Sequence, residues 1–352
     1  MNILYTNFHY GDGGGHTTYI ESMLDNPENT AYVACAEKSK LFQSLRAKGF
    51  ERLIPIEFPY KIQDIGQIWK NSRLLLQAIA EHNIDIVHTN GSPDNRMMLY
   101  IKPFIKRRCK VVFTKHNVFP VKGLISRWRF SSFNDAVIFV GDNIGILGLD
   151  THSPKFHVVP NGIDLTHWQR ATPLSTPSDS LTLISNAGAS PHKGWQFLVE
   201  AVAGLGEDEK KRIRIAMLAR YRDTMKEAEA VCDFTCLDFQ EDVRPFLEKG
   251  DIGFVLSLHE ASSFACREMM AMGLPILTSD FPALLDTTAS SCRWVTKTGD
   301  AASIRKALRT ILSLSPDAIT ELKKAAMEHA QHNFSVTTMI EKTNKVYASL
   351  ME

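Results

Sequence analysis

Short apolar runs alternate with longer amphipathic stretches along the first half of the chain. The runs are rich in Ile, Val, Leu and Phe and are bounded by turn-forming residues, so they predict strands, whereas the longer stretches have the spacing of helices. The predicted strands are 2–6, 31–35, 52–56, 84–88, 110–114 and 135–140, and the predicted helices between them are 17–24, 39–48, 64–82 and 93–106. Apolar strands that alternate with helices are typical of a doubly wound parallel sheet.

The same alternation restarts after a turn signal at 158–164 and a stretch rich in Pro, Ser and Thr at 171–180. This region therefore predicts the connection between two domains. The predicted strands beyond it are 181–186, 212–218, 234–237, 252–257, 276–279 and 292–295, and the predicted helices are 195–205, 224–231, 243–248, 264–272, 301–314, 317–332 and 336–350.

The pattern as a whole predicts an α/β protein with two Rossmann-like, doubly wound domains that face each other across a ligand cleft. We assign residues 1–163 to the first domain and residues 164–335 to the second. The last helix, within residues 336–352, is expected to pack back on the first domain. A length of 352 residues suits two domains of ordinary size.

Composition narrows the class of protein. Hydrophobic residues make up 44% and charged residues 22% of the chain, and the net charge of +1 argues against a nucleic-acid binder. The six cysteines are scattered, and Cys232 and Cys236 have no second pair with which to form a zinc site. Met1 leads directly into a strand, without a signal peptide or spanning helix, so we expect a reduced, cytoplasmic setting.

Two glutamates eight positions apart, Glu260 and Glu268, stand at the junction of a predicted strand and a predicted helix. The free backbone N–H groups at the start of such a helix suit a phosphate. A carboxylate on each side of the phosphate suggests a ligand with sugar hydroxyls on both sides of a diphosphate, which describes a nucleotide-sugar. The alternative is a strand–loop–helix unit with two solvated glutamates.

Glu-x7-Glu followed by Met-Ala-x-Gly-Leu-Pro resembles the donor-site signature of retaining GT-B glycosyltransferases, family 4 (glycosyl transferases group 1). The chain keeps both glutamates and departs at 261–263, where the family often has Gly-Phe-Gly. The resemblance implies that Glu260 acts on the sugar and that Glu268 holds the ribose. It also places three further residues in the donor site: Ser262, Ser263 and Phe264.

Two loops extend the resemblance. The glycine loop at 11–16 is neither Gly-x-Gly-x-x-Gly nor a Walker loop, and a simple tight turn is the alternative. In the family a glycine pair in this loop borders the donor diphosphate, and Gly13 and Gly14 match it. The loop at 186–194 resembles Gly-Arg-x4-Lys-Gly, in which Lys193 matches the lysine that neutralises the diphosphate and Gly188 falls in the donor site.

The family's arginine is absent from the 186–194 loop, where Gly188 or Ala189 takes its place. Three other arginines are candidates to replace its charge: Arg220, Arg222 and Arg267. A lysine exposed to solvent is the alternative interpretation of Lys193.

Polar residues also end two strands of the first half. Residues 85–91 resemble the family's Asp-Val-Val-His-x-His, with Asn90 in place of the second histidine. The resemblance implies an acceptor side formed by His16, His88 and Asn90, and it gives His116 a catalytic contact with the donor sugar. Interior histidines with ordinary structural partners are the alternative.

The order of these motifs implies a retaining glycosyltransferase that moves a sugar, most simply from a UDP-sugar, to a hydroxyl of a glycan or lipid-linked acceptor. Lipopolysaccharide or another bacterial envelope polysaccharide is the expected product. His116, Glu260 and Lys193 are the expected catalytic residues. The chain has no Asp-x-Asp, so we expect no metal and no cofactor. A nucleotide-sugar epimerase and a non-catalytic nucleotide- or sugar-binding protein are the alternatives.

Basic residues cluster from Lys102 to Arg129 and are interleaved with Phe104, Trp128 and Phe130. This segment predicts contact with an anionic membrane, at its inner face, or with an acidic acceptor. A solvated basic face is the alternative.

Overall fold

The computed structural model describes residues 1–11, 14–59, 62–105, 108–142, 144–221, 223–238, 240 and 242–352. The chain divides into two compact units. Unit 1 comprises residues 1–161 and 338–352, and unit 2 comprises residues 162–337. The division falls after Asn161, two residues before the boundary that we expected from the sequence.

A parallel seven-stranded sheet forms the centre of unit 1, with the strand order β3-β2-β1-β4-β5-β6-β7. Its inner strands are buried on both faces, which explains why they appear in the sequence as continuous apolar runs. The strands are β1 (Asn2–Asn7), β2 (Thr30–Cys35), β3 (Leu53–Pro55), β4 (Ile86–Thr89), β5 (Lys110–Lys115), β6 (Ala136–Phe139) and β7 (Phe156–Val158).

Helices connect these strands and pack apolar side chains on the sheet. Leu75, Met97 and Met98, for example, lie in one buried cluster with Val87 of β4. The helices of the first part of the chain are α1 (Gly14–Leu24), α2 (Lys40–Ala47), α3 (Ile65–Glu81), α4 (Ser92–Ile101) and α5 (Leu124–Trp128).

Unit 2 is built in the same way around a parallel six-stranded sheet with the order β10-β9-β8-β11-β12-β13. Apolar clusters cover it, one including Trp195, Leu198 and Ile304, and another including Met269 and Met270. The strands are β8 (Leu181–Ser185), β9 (Ile213–Leu218), β10 (Asp233–Leu237), β11 (Ile252–Val255), β12 (Ile276–Ser279) and β13 (Arg293–Thr296).

The remaining helices complete unit 2, and the last returns the chain to unit 1. They are α6 (Trp195–Ala203), α7 (Glu207–Lys210), α8 (Lys226–Val231), α9 (Arg244–Leu247), α10 (Phe264–Ala271), α11 (Pro282–Thr287), α12 (Ala301–Leu312), α13 (Pro316–Asn333) and α14 (Val336–Met351). From Thr338 onwards α14 belongs to unit 1, where Met339, Val346 and Tyr347 are buried.

Both sheets reverse their strand order at a central pair, β1 with β4 in unit 1 and β8 with β11 in unit 2. Ligands of open parallel sheets bind at the carboxyl ends of the strands beside such a reversal. The loops that follow these four strands carry most of the residues that the sequence singled out.

Several short elements were not predicted: β7, α5, α7 and α11. Each has too few residues for an apolar period to stand out. The helix predicted over 93–106 is also shorter than expected. It ends at Ile101 and a 3₁₀ turn follows over Lys102–Phe104, which contains Pro103.

Candidate functional site

Helix α10 carries the second glutamate of the pair. Ser263 caps the helix by accepting a hydrogen bond from the Cys266 N–H at 3.2 Å. Glu268 lies one turn further on, and its Oε2 accepts a hydrogen bond of 2.6 Å from Asn186 Nδ2, which follows β8. Burial raises the pKa of Glu268 to about 7, and the bond from Asn186 opposes this increase only in part. The carboxyl group therefore changes charge near neutral pH.

The first glutamate pairs with the predicted phosphate-binding lysine. Lys193 Nζ lies 2.9 Å from Glu260 Oε2, and both side chains are largely buried. Gly194 makes this approach possible, because its φ of +71° is costly for other residues and a Cβ there would overlap the carbonyl oxygen of Leu256. The close contact between the loops after β8 and β11 therefore requires a glycine at position 194.

The other residues predicted for the donor site have different surroundings. Gly188, in the loop after β8, has a φ of +89° and open space where a side chain would stand. Ser262 Oγ is buried without a hydrogen-bond partner, whereas Ser263 Oγ is occupied as the helix cap. Phe264, the first residue of α10, is partly buried. Gly188 and Ser262 retain free space or a free hydrogen-bonding atom for a ligand.

The predicted glycine pair is only partly described. Gly13 lies outside the described residues, and Gly14 is the first residue of α1 in unit 1, with a φ of +61° and open space around it. The donor role predicted for this pair stays a prediction.

Three arginines were candidates to replace the missing one. Arg267 is buried, donates to the Ser263 carbonyl oxygen at 3.0 Å and lies over the Phe334 ring, while its Nε has no hydrogen-bond partner. Arg220 is exposed after β9, and Arg222 lies outside the described residues. Which arginine replaces the missing charge therefore stays a prediction.

The acceptor-side role expected for His88 needs correction. The side chain is fully buried, and its two ring nitrogens form hydrogen bonds with Tyr347 of α14 and Thr114 of β5. Burial lowers its pKa to about 3, so the ring is neutral. Neither ring nitrogen is left for an acceptor, and the alternative of an interior histidine is the correct one.

Asn90 determines which tautomer His116 adopts. Its Nδ2 donates to the carbonyl oxygens of Thr6 and His88, both at 3.2 Å, so its Oδ1 accepts the 3.0 Å hydrogen bond from His116 Nε2. His116 therefore carries its proton on Nε2 and its lone pair on Nδ1. Because Asn90 is itself buried, it positions His116 instead of contacting an acceptor as expected.

Three histidine rings form a row at the carboxyl end of the unit 1 sheet. The ring centroids of His9 and His16 are 4.3 Å apart, and those of His16 and His116 are 4.4 Å apart. Burial is the main cause of their lowered pKa values, which reach about 3 for His16 and lie well below the usual value for His116. Neutral rings can form hydrogen bonds and packing contacts with a ligand, but they contribute no positive charge.

The basic segment is less basic at its surface than the sequence suggested. Lys102 pairs with Asp135 and Arg108 pairs with Asp85, both at 2.9 Å, and Arg129 is buried. Lys106 and Arg107 lie outside the described residues. Phe104 and Arg108 stay exposed, and in the stretch 119–128, where Val121 is buried, four apolar side chains face solvent: Phe119, Leu124, Ile125 and Trp128.

The described residues offer neither a metal-binding cluster nor a membrane-spanning helix. They contain no group of three or more His, Cys, Asp or Glu side chains that could hold a metal ion. None of the helices in this part of the chain is both long enough and apolar enough to cross a bilayer.

Sequence reasoning missed three features of the two sites. Asn186 begins the 186–194 loop and received no role from the sequence, although it is the partner of Glu268. The stacked rings of His192 and His259 come from two loops whose contact no local pattern indicates. Tyr347 reaches His88 across 259 positions of the chain, and only the folded structure reveals such a pair.

Two models of one glycosyltransferase family match the chain. The profile described as Glycosyltransferase Family 4 matches residues 24–167, and the profile described as Glycosyl transferases group 1 matches residues 179–314. The chain belongs to this glycosyltransferase family. The two profiles together cover most of the chain and divide it near the boundary of the two units.

Two curated relatives come from Escherichia coli. WcaL of strain K12, named as a colanic acid biosynthesis glycosyltransferase, is 24% identical over 56% of this chain and 51% of its own length. WclY, an O-antigen biosynthesis glycosyltransferase, is 22% identical over 61% of this chain and 67% of its own length. The chain thus matches about half the length of WcaL.

Solved structures share the fold of this protein over nearly its full length. A glycosyltransferase from Rickettsia africae superposes with a TM-score of 0.80 at 18% identity, covering 100% of this chain and 98% of that chain. HepE from Anabaena, solved with UDP and glucose, gives a TM-score of 0.80 at 15% identity and covers 99% of each chain. The fold is therefore GT-B, as the sequence predicted.

Proposed function

We propose that this family member is a retaining glycosyltransferase that transfers a sugar from a UDP-sugar to a hydroxyl group of a glycan or lipid-linked acceptor. The observation that carries the proposal is the arrangement in unit 2, where Lys193, Glu260, Asn186 and Glu268 gather at the carboxyl end of one sheet. One cation and two carboxylates suit a diphosphate flanked by two sets of sugar hydroxyls.

Each residue has a role that its surroundings support. Lys193 meets the diphosphate as a point charge, and Glu260, released from the lysine, accepts hydrogen bonds from the donor sugar. Glu268 holds the ribose. His116, with a lone pair on Nδ1, contacts the sugar near the reacting carbon.

The reaction proceeds without a metal in this proposal. As the bond to the sugar breaks, negative charge develops on the departing diphosphate, and Lys193 stabilises it. The departing phosphate oxygen takes the proton of the acceptor hydroxyl on the same face of the sugar, which retains the anomeric configuration. The absence of Asp-x-Asp from the sequence is consistent with this chemistry.

The names of relatives support the choice of donor and product. HepE was solved with UDP-glucose, and WclY and WcaL are named for O-antigen and colanic acid biosynthesis. We therefore propose UDP as the donor nucleotide and a bacterial envelope polysaccharide, such as lipopolysaccharide, as the product.

We also propose that unit 1 contacts an anionic membrane through the exposed segment 119–128. Apolar Leu124 and Trp128 accompany the exposed cations Lys122 and Arg127, a combination suited to the interface between lipid headgroups and acyl chains.

Release of UDP from a UDP-sugar panel, with and without an extract of envelope glycan acceptors, tests the transfer. We expect release to require the acceptor and the product to keep the anomeric configuration by NMR. Lys193→Ala should slow release by about tenfold or more, because about 1.4 kcal/mol of charge stabilisation corresponds to that factor, whereas Lys193→Arg should retain more activity.

Other outcomes would favour other functions. Conversion of the donor sugar without acceptor would indicate an epimerase, and binding without turnover would indicate a binding protein. Equal, near wild-type rates for Lys193→Ala and Lys193→Arg would show that the diphosphate charge is met elsewhere.

A further inference from the structure

Two histidines stack beside the Lys193–Glu260 pair. The ring centroids of His192 and His259 are 5.0 Å apart with an angle of 21° between the rings. A backbone hydrogen bond of 2.8 Å from the Leu258 N–H to the His192 carbonyl oxygen joins the two loops that carry them. The rings are therefore held together at the end of the sheet where the donor is proposed to bind.

The two loops at this position contain little permanent positive charge for a diphosphate. Lys193 is the only lysine or arginine in either of the two loops, 186–194 and 256–263, and Glu260 already neutralises it. A nucleoside diphosphate brings more than one negative charge, so further positive charge in these loops would stabilise it when it binds. Two imidazole side chains lie beside the pair, namely those of His192 and His259, and an imidazole ring becomes a cation when it takes up a proton.

The unliganded surroundings lower the pKa of His192. Burial is the main cause of its lowered pKa, the charge of Lys193 and the neighbouring His259 lower it further, and Glu260 opposes them. A diphosphate beside the ring would add negative charge and reverse this balance, since a nearby opposite charge favours the protonated form. The same negative charge would relieve the repulsion between two protonated rings.

We propose that His192 and His259 form the cationic side of the diphosphate site and take up protons when a nucleoside diphosphate binds. This inference rests on the proposed function, since it assumes that the diphosphate of the donor occupies these loops. It supplies the positive charge that the absent arginine leaves missing. Its consequence is a donor affinity that weakens as the pH rises above neutral.

Calorimetric titration of UDP into the wild-type chain and into His192→Asn/His259→Asn tests the proposal. At about pH 6, where imidazoles readily protonate, we expect the wild type to bind UDP about tenfold more tightly than the double variant. At about pH 8 the difference should shrink to about twofold. UDP and Glu268 also change protonation between these pH values, but they do so in both proteins. Their effect therefore largely cancels in the ratio of the two affinities.

Two further variants distinguish charge from packing. His192→Lys carries a permanent cation, so its UDP affinity should change less with pH than that of the wild type. His332→Asn removes an exposed histidine at the end of α13 and should leave the affinity unchanged at both pH values. Thermal melts establish that each variant is folded.

The outcomes separate this inference from the proposed function. If the wild type binds neither UDP nor, in parallel titrations, GDP and ADP at either pH, the nucleotide-sugar function fails. If it binds UDP but the ratio of wild-type to double-variant affinity is independent of pH, the histidines are only a packing contact and the inference fails alone. A loss confined to Arg220→Gln would assign the missing charge to that arginine instead.

Discussion

The carboxyl group of Glu268 shows how one residue gains function from its surroundings. A glutamate in water ionises well below neutral pH, yet burial on α10 raises the pKa of Glu268 to about 7. The Asn186 Nδ2–H at 2.6 Å favours the ionised form and holds Oε2 in place. Because the folded pKa lies above the unfolded one, the folded chain loses stability from this group as the pH rises from about 4.5 to 7.

We predict that Glu268→Ala and Glu268→Gln each lower nucleoside diphosphate affinity by about tenfold or more, or about 1.4 kcal/mol. The ionised carboxylate accepts both ribose hydroxyls, whereas the acid form accepts them less well. The advantage of wild type over Glu268→Gln should therefore increase as the pH rises through about 7. Calorimetry at several pH values measures it.

The matched control is Glu200→Gln, an exposed carboxylate on α6 of the same unit. It should bind nucleotide as the wild type does. Unchanged binding by a folded Glu268→Ala would remove the ribose role, and a constant ratio across pH would show that the charge of Glu268 is not what the nucleotide contacts.

At the scale of elements, helix α5 is unusual because its apolar side chains face solvent. Leu124 is 87% exposed, Ile125 73% and Trp128 51%. A five-residue helix gains little stability from its own hydrogen bonds. The exposure of its apolar side chains to water therefore lowers stability without a structural reason in the helix itself. A lipid surface would cover these side chains, and its anionic headgroups would meet Lys122, which precedes the helix, and Arg127, which lies within it.

We predict that the protein binds anionic vesicles at low salt and that Leu124→Ser/Trp128→Ser weakens this binding strongly. Lys122→Glu/Arg127→Glu should weaken it too, since each basic residue near the surface contributes about 1 kcal/mol. Added salt should reduce binding, because the Debye length shortens from about 10 Å at 0.1 M to about 3 Å at 1 M. Vesicle co-sedimentation measures all of these effects.

Trp69→Ser is the control, since Trp69 of α3 is an exposed tryptophan of the same unit outside the segment. Its vesicle binding should equal that of the wild type. A native protein that ignores anionic vesicles at low salt, or a Trp69→Ser variant that loses binding equally, would exclude the segment as the membrane contact.

For the whole molecule, the sequence revealed the repeated architecture and the order of the motifs. Continuous apolar runs such as 110–114 predicted buried strands, and Glu-x7-Glu with its Met-Ala-x-Gly-Leu-Pro tail led to the family. Boundaries moved by one or a few residues because the ends of strands and helices depend on tertiary contacts. Elements as short as β7 carry too little pattern to be recognised.

The chemistry within each site was harder to predict, because it depends on neighbours that are distant in sequence. A histidine at the end of a strand is consistent with a ligand contact or with an interior hydrogen bond, and only the position of Tyr347 identifies His88 as interior. In the same way, only its contacts with Thr6 and His116 identify Asn90 as a positioning residue. Local patterns cannot supply such contacts.

The return of the chain through α14 closes unit 1, and Tyr347 is the residue on which we expect that closure to depend. Its fully buried hydroxyl contacts His88 Nδ1 and lies 3.4 Å from the Tyr5 hydroxyl. Tyr347→Phe leaves buried polar groups without this partner, so it should lower the free energy of unfolding by about 1–3 kcal/mol. Tyr347→Ala adds a cavity and should cost about 3–5 kcal/mol. Urea denaturation measures both, and Tyr100→Phe, at an exposed tyrosine of α4, should stay within about 0.5 kcal/mol of wild type. If Tyr347→Phe is as stable as Tyr100→Phe, the hydroxyl contributes nothing and α14 is held by its apolar face alone.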